Sequence, residues 1–246
     1  MRLTPRLLVL TTAAASLIFA ADLPSGESLI QRYIDKSGGM QAYAKAKSMS
    51  MSGKVEMEGR NISGTVTIVE EGHKSYTAME FPGIGKVEEG YDGDTAWEDS
   101  ALQGPRILDG DEKAAAKRAA TLALISSWRD VFKEAKTIGP ADVDGKPAWQ
   151  VEMVAKEGKP ETWFFDRDSG LVVKTSGVLS TAMGDLRTEV TNSDFRNVDG
   201  ILTPFAMTQK AMSQTIVMRF DKIAYNAPIP ADRFAPPNSV KSLRKK

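Results

Sequence analysis

The chain has 246 residues, 32 basic and 32 acidic side chains, one histidine and no cysteine. That balance argues against a nucleic-acid partner, and the missing cysteine excludes disulfide staples, thiol catalysis and a lipid-modified N-terminal cysteine. A chain of this size can bury a substantial core without cross-links.

Residues 1–21 read as a signal peptide. Arg2 and Arg6 form a basic start, Leu7 to Phe19 an apolar run, and Ala20 and Ala21 a small-residue cleavage site before Asp22. The alternative is a membrane anchor, but the run falls short of the ~20 residues a span needs. Export into a bacterial periplasm suits a cysteine-free chain. Removing Arg2 and Arg6 leaves 30 basic against 32 acidic residues. Residues 22–240 show no shift in composition that would mark a linker and are assigned to one domain, expected to be monomeric. Lys241 to Lys246 read as a basic, disordered tail; the alternative is a patch for anionic headgroups.

Glu27 to Lys47 predicts a helix, with Ser25 as N-cap, a stripe of Leu29, Ile30, Tyr33 and Ile34, and a break at Gly38-Gly39. From Ser48 the period changes to two, and a run of strands follows. Asp109 to Trp128 interrupts them with a second predicted helix, polar and alanine-rich at its start and apolar through Leu122 to Ile125, placed to lie across an open sheet mouth. Strands then resume to about Phe220, and Phe234 is expected to dock back in a loop-like ending.

One phrase recurs through these strands. An apolar strand, an acidic turn with glycine and a second apolar strand occur around Asp92-Gly93, Asp144-Gly145, Asp166 to Gly170, and Asp199-Gly200. Such turns reverse neighbouring strands with the right twist, so the repetition predicts a long antiparallel meander. The fold class is therefore α+β, mainly antiparallel β, with one curved sheet and helices over its concave face.

Catalytic apparatus is sparse. His73 follows Gly72 at a turn, and one histidine without cysteine cannot build a multi-histidine zinc site or a Cys–His nucleophile. The pairs Asp92/Asp94, Asp142/Asp144 and Asp166/Asp168 could hold a cation or divide acid and base roles; alternatively each carboxylate caps its own turn. No cofactor is called for.

The positive signal is apolar. Eleven methionines, and strands with large apolar groups on both faces, point either to core packing or to a cavity for a greasy ligand. The cavity-lining candidates are Val55, Met57, Val66, Ile68, Met79, Trp97, Leu122, Ile125, Trp128, Trp149, Val151, Met153, Phe164, Met207, Ile216 and Met218.

Several blocks together carry a resemblance. They are the early helix ending in Gly-Gly, Gly90-Tyr91-Asp92-Gly93-Asp94-Thr95-Ala96-Trp97, Gly104-Pro105-Arg106-Ile107-Leu108, Lys159-Pro160-Glu161-Thr162-Trp163-Phe164-Phe165-Asp166, Phe195 to Phe205, and the ending Asn226-Ala227-Pro228-Ile229 with Phe234 and Pro236. In this order they resemble the outer-membrane lipoprotein-sorting proteins and their relatives over nearly all of the mature chain. The resemblance implies an incomplete β-barrel of about eleven strands with helices over a hydrophobic cavity. It implies a non-enzymatic periplasmic carrier of a lipid or lipid-modified protein, with membrane-associated donor or acceptor proteins as partners. Arg106 and Arg129 are candidates for a cavity-gating arginine by their nearness to the inserted helix. The alternatives are a ligand-sensing regulatory module on the same fold and a hydrolase using the turn aspartates.

Overall fold

The computed structural model describes residues 23–181 and 184–243; the signal-peptide reading falls on residues 1–21, outside them. The early helix is two: α1 (Gly26–Ser37) and α2 (Gly39–Lys45), separated at Gly38. The Ser25 hydroxyl caps α1 by accepting from the Ser28 amide at 3.1 Å.

The strands follow as β1 (Ser48–Met57), β2 (Ile62–Glu71), β3 (Lys74–Phe81), β4 (Gly85–Tyr91), β5 (Ala96–Ser100) and β6 (Gly104–Leu108). Two helices, α3 (Gly110–Ala119) and α4 (Trp128–Val131), lead into β7 (Phe132–Val143), β8 (Lys146–Ala155), β9 (Glu161–Asp166) and β10 (Val172–Thr181). The chain ends with β11 (Gly184–Val198), β12 (Ile201–Ala211), β13 (Gln214–Tyr225) and α5 (Asn238–Leu243). Among the described residues all thirteen strands form one antiparallel sheet, two more than the resemblance implied, in the order β6-β5-β4-β3-β2-β1-β13-β12-β11-β10-β9-β8-β7.

This order has a consequence for closure. The two edges, β6 and β7, are sequence neighbours, yet they do not pair. Residues 109–131, carrying α3 and α4, connect them. A flat sheet would put β5 and β10, eight strand spacings apart, ~38 Å from each other. Helix α3 has ten residues, ~15 Å of length, and touches β4, β5 and β10. The sheet must therefore curl until its two wings meet one short helix, which gives an open half-barrel.

Local chemistry produces the curl. The Asp144-Gly145 and Asp199-Gly200 turns hold both central residues at positive φ (52° and 80°, 50° and 91°), the geometry of two-residue hairpins whose twist matches the strands. A bulge at Ser52/Gly53 offsets β1 against β13. Gly53 and Gly64 let backbones approach so closely that a Cβ would run into the carbonyl oxygens of Arg219 and Glu80.

Register assigns the faces. Met51, Ile68, Thr77, Glu89, Glu98 and Arg106 stand opposite one another across β1 to β6, forming one concave row. On the other wing Val151, Trp163 and Thr175 do the same. Two large clusters build most of the concave core. Helix α1, through Leu29, Ile30 and Ile34, packs with Val151, Met153, Trp163 and Phe165; Val55, Val66, Phe81, Met218 and Phe220 form the second cluster. On the convex side Phe234 and Val240 cover Val69, Tyr76 and Trp97, so Phe234 does dock back.

Two elements depart from the expected pattern. The second predicted helix stops at Ala119, and residues 120–127 are turns, with Ala123 at φ 53° and the Leu122 amide donating to the Gly72 carbonyl at 3.0 Å. Continuing the helix would turn part of the apolar run Leu122 to Ile125 away from the sheet, whereas a turn directs it into the concavity. The basic stretch assigned to a disordered tail from Lys241 is helical through Leu243, because Val240 is fully buried and anchors α5.

Candidate functional site

The main cavity lies in the concavity beneath the turn that follows α3 and has a volume of about 360 Å³. That falls within the ~300–1,000 Å³ of small-molecule sites. Its walls come from segments far apart in the chain: Tyr33 and Tyr43 from α1 and α2, Met49 and Met51 from β1, Ile68 and Glu70 from β2, and Leu122 to Ile125 from the turn. Trp163, Thr175, Asn192, Ile201, Met207 and Tyr225 complete it from β9 to β13. Two smaller chambers flank α3. One of about 220 Å³ is bordered by Thr77, Glu89, Glu98 and Glu112; one of about 270 Å³ by Arg118, Glu161, Thr175 and Val190. Ala115 and Ala119 of α3 border both, so this helix partitions a larger groove.

Arginine–glutamate pairs secure α3 at both ends. Near its start Glu112 receives Arg106 of β6 at 2.8 Å on each oxygen. Near its end Arg118, only 6% exposed, donates to Glu161 of β9 at 2.9 Å and to the Glu157 carbonyl at 2.8 Å. Arg106 thus holds the inserted helix. Arg129 is exposed, pairs with Glu27 and stacks on Trp128. Only the approach of the second wing supplies Arg118 with its partner.

Of the sequence candidates, Ile68, Leu122, Ile125 and Met207 border the main cavity. Val55, Met57, Val66, Met79, Ile216 and Met218 occupy the concave cluster at the hairpin end carrying the β1–β2 turn, where they pack on one another. Val151, Met153 and Trp128 lie in the cluster under α1, with Trp149 packed against it beneath the Arg167 guanidinium. Trp97 faces the convex side beside Tyr76, and Phe164 points away from the concavity towards Lys174, while its neighbour Trp163 faces in. Alternation alone identified two faces on each strand but not which was concave, and that is why Phe164 was chosen over Trp163. The tyrosines and Glu70 were missed because they look like ordinary helix and strand-end residues.

The cavity's polar groups divide into satisfied and unsatisfied sets. Tyr43 bonds Ser37 at 2.7 Å and Tyr225 bonds Thr203 at 3.0 Å. Burial raises the hydroxyls of Tyr33 and Tyr43, and Tyr225 is pushed up to about 12, mainly by burial. Glu161 accepts from Arg118 and from the Trp163 indole at 3.3 Å. Glu70 makes no hydrogen bond or ion pair among the described residues, and burial lifts its carboxyl from 4.5 to about 8. It keeps some accessible surface, and that surface faces the cavity. Glu89 is likewise raised, by burial and then by Glu98; its side chain is exposed into the smaller chamber, so water softens the effect. The Asn192 side-chain oxygen is buried without a partner among the described residues.

The turn carboxylates are occupied locally. Asp92 accepts from the Asp94 and Thr95 amides, Asp142 from Gly145, and Asp166 from the Ser169 amide and hydroxyl. Burial works to raise Asp166, but these bonds outweigh it and hold the carboxyl below its ordinary value. His73 is exposed at the β2–β3 turn.

No protein-family model matches the chain, and no curated protein matches its sequence. Solved structures do. A DUF1329 family protein from Desulfovibrio piger aligns over 86% of this chain and 98% of its own at 15% identity, TM-score 0.57. A LolA superfamily protein from Nitrosomonas europaea aligns over 87% and 99% at 10% identity, TM-score 0.56. A putative outer membrane lipoprotein-sorting protein domain from Vibrio parahaemolyticus aligns over 90% and 100%, also at 10% identity and TM-score 0.56. Among the described residues no helix is long and apolar enough to cross a membrane. The chain therefore shares the open half-barrel fold of lipoprotein-sorting and LolA superfamily proteins along most of its length.

Proposed function

We propose that this protein is a periplasmic carrier that holds a lipid, or the acyl chain of a lipid-modified protein, between its curved sheet and its helices. The observation behind this reading is the main cavity: about 360 Å³, walled chiefly by Met49, Met51, Ile68, Leu124, Trp163 and Met207, and covered by a turn rather than by sheet. Each methylene moved from water into such a site contributes ~0.8 kcal/mol, so affinity needs no covalent step. Methionine walls adapt to chains of different shape. The partition by α3 supplies a release mechanism. If the Arg106–Glu112 and Arg118–Glu161 pairs open, the three chambers can join into one groove wide enough to load or discharge a chain. Likeness of fold to lipoprotein-sorting proteins supports the carrier reading, and the signal-like residues 1–21 support export.

Native mass spectrometry of the protein purified from its own periplasm should show a bound lipid. Met207→Trp, which fills the cavity from β12, should remove that adduct while the protein remains folded. A wild-type protein that carries no lipid and takes up none from mixed vesicles refutes the reading.

A further inference from the structure

The cavity wall is rich in unanswered acceptors. Glu70 on β2 and the buried oxygen of Asn192 on β11 both border it, and neither has a partner among the described residues. Such groups are costly to desolvate unless something donates to them. The surrounding protein does not. Tyr43 and Tyr225 are bonded to Ser37 and Thr203, and Glu161 is engaged by Arg118 and Trp163. Among the described residues Arg118 is the one cationic side chain lining any of the three chambers, and it is already spent on Glu161 and a backbone carbonyl. An anionic head would therefore meet Glu70 with no counter-charge, whereas a cationic donor would complete it.

Resting on the carrier reading, we propose that the cavity selects amphiphiles whose polar end is a cationic hydrogen-bond donor, an ammonium group held by Glu70, with Asn192 accepting a further donor of the ligand. Burial raises the Glu70 carboxyl, so docking an ammonium should expel whatever fraction of a proton the group still carries in the free protein, and none in alkaline solution.

The test uses three amphiphiles with one chain length: dodecylamine, dodecanol and dodecanoate. Each is titrated below its micelle-forming concentration at neutral pH and raised salt, which screens surface attraction. Binding is read from tryptophan fluorescence, Trp163 being in the wall, and from calorimetry in buffers of different ionisation enthalpy. Dodecylamine should bind about tenfold tighter than dodecanol, as expected of a hydrogen bond to a charged group, and dodecanoate should bind weakest. Glu70→Gln and Glu70→Met should remove the amine's advantage over the alcohol. Equal binding of amine and alcohol to the wild type, or a preference that survives both substitutions, overturns the inference while leaving the carrier reading intact. If none of the three binds, the carrier reading fails and takes the inference with it. Lyso-phosphatidylethanolamine against lyso-phosphatidylglycerol then identifies the source. Preference for the former assigns the amine to a phospholipid head; equal binding restricts it to amphiphiles without phosphate.

Discussion

Glu70→Gln should stabilise the protein in alkaline solution and abolish part of its pH dependence. Burial lifts this carboxyl from 4.5 to about 8, so between those values the folded protein holds a proton that the unfolded chain has lost. Stability falls with rising pH wherever the folded state binds more protons. The protonated form is therefore fully favourable below about pH 4.5, and its contribution is lost as pH rises through about 8. At ~1.4 kcal/mol per pH interval of one, the ceiling is ~5 kcal/mol. The cavity beside Glu70 can admit water, which eases the charged form, and we expect ~2 kcal/mol, well under that ceiling. Glutamine keeps the shape and removes the titration. Urea denaturation from pH 5 to pH 9 should show wild type and variant converging towards pH 5, separating progressively as pH rises towards 8 and running parallel above it, the variant being the more stable. Glu89 titrates in the same sense in both proteins, and Tyr225 titrates only near 12, so the difference isolates Glu70. Parallel curves across the whole range would refute the claim that Glu70 is desolvated.

Three further outcomes are expected. Arg118→Met leaves Glu161 without its main partner and should cost ~2–3 kcal/mol in denaturant unfolding, below the full cost of a wholly buried pair because Glu161 is partly exposed; it should also raise binding of an apolar dye as α3 loosens. Gly64→Ala forces a Cβ against the Glu80 carbonyl where β2 meets β3, and should cost ~1–3 kcal/mol, read as a fall in Tm. Gly145→Ala, at φ 80° in the β7–β8 turn, should cost ~1 kcal/mol with no change in lipid content by native mass spectrometry.

The hairpin grammar was the most legible part of the chain. Asp144-Gly145 and Asp199-Gly200 specify their turns through local backbone preference alone, and period-two alternation specifies the strands between them. The helix starts were equally local: Ser25 caps α1 as the sequence placed it, and the second helix begins at Asp109 as expected, with that residue as its cap. The end of α3 was not local. Leu122 to Ile125 have no polar face to keep them helical, and what arrests them is a carbonyl of Gly72, some fifty residues earlier. The same holds for the site. Phe164 and Trp163 are equally apolar neighbours, and nothing in either says which way the sheet curls.

The sequence by itself determined a single antiparallel meander, its turns, its helix caps and an excess of apolar side chains, because each of those follows from interactions within a few residues. Tertiary structure alone decided which face became concave, that α3 would be held by arginines reaching it from β6 and reaching from it to β9, and that Glu70 would face a cavity without a partner. Those facts depend on strands up to ten positions apart in the sheet being curled together, and such contacts leave no periodic trace in the chain.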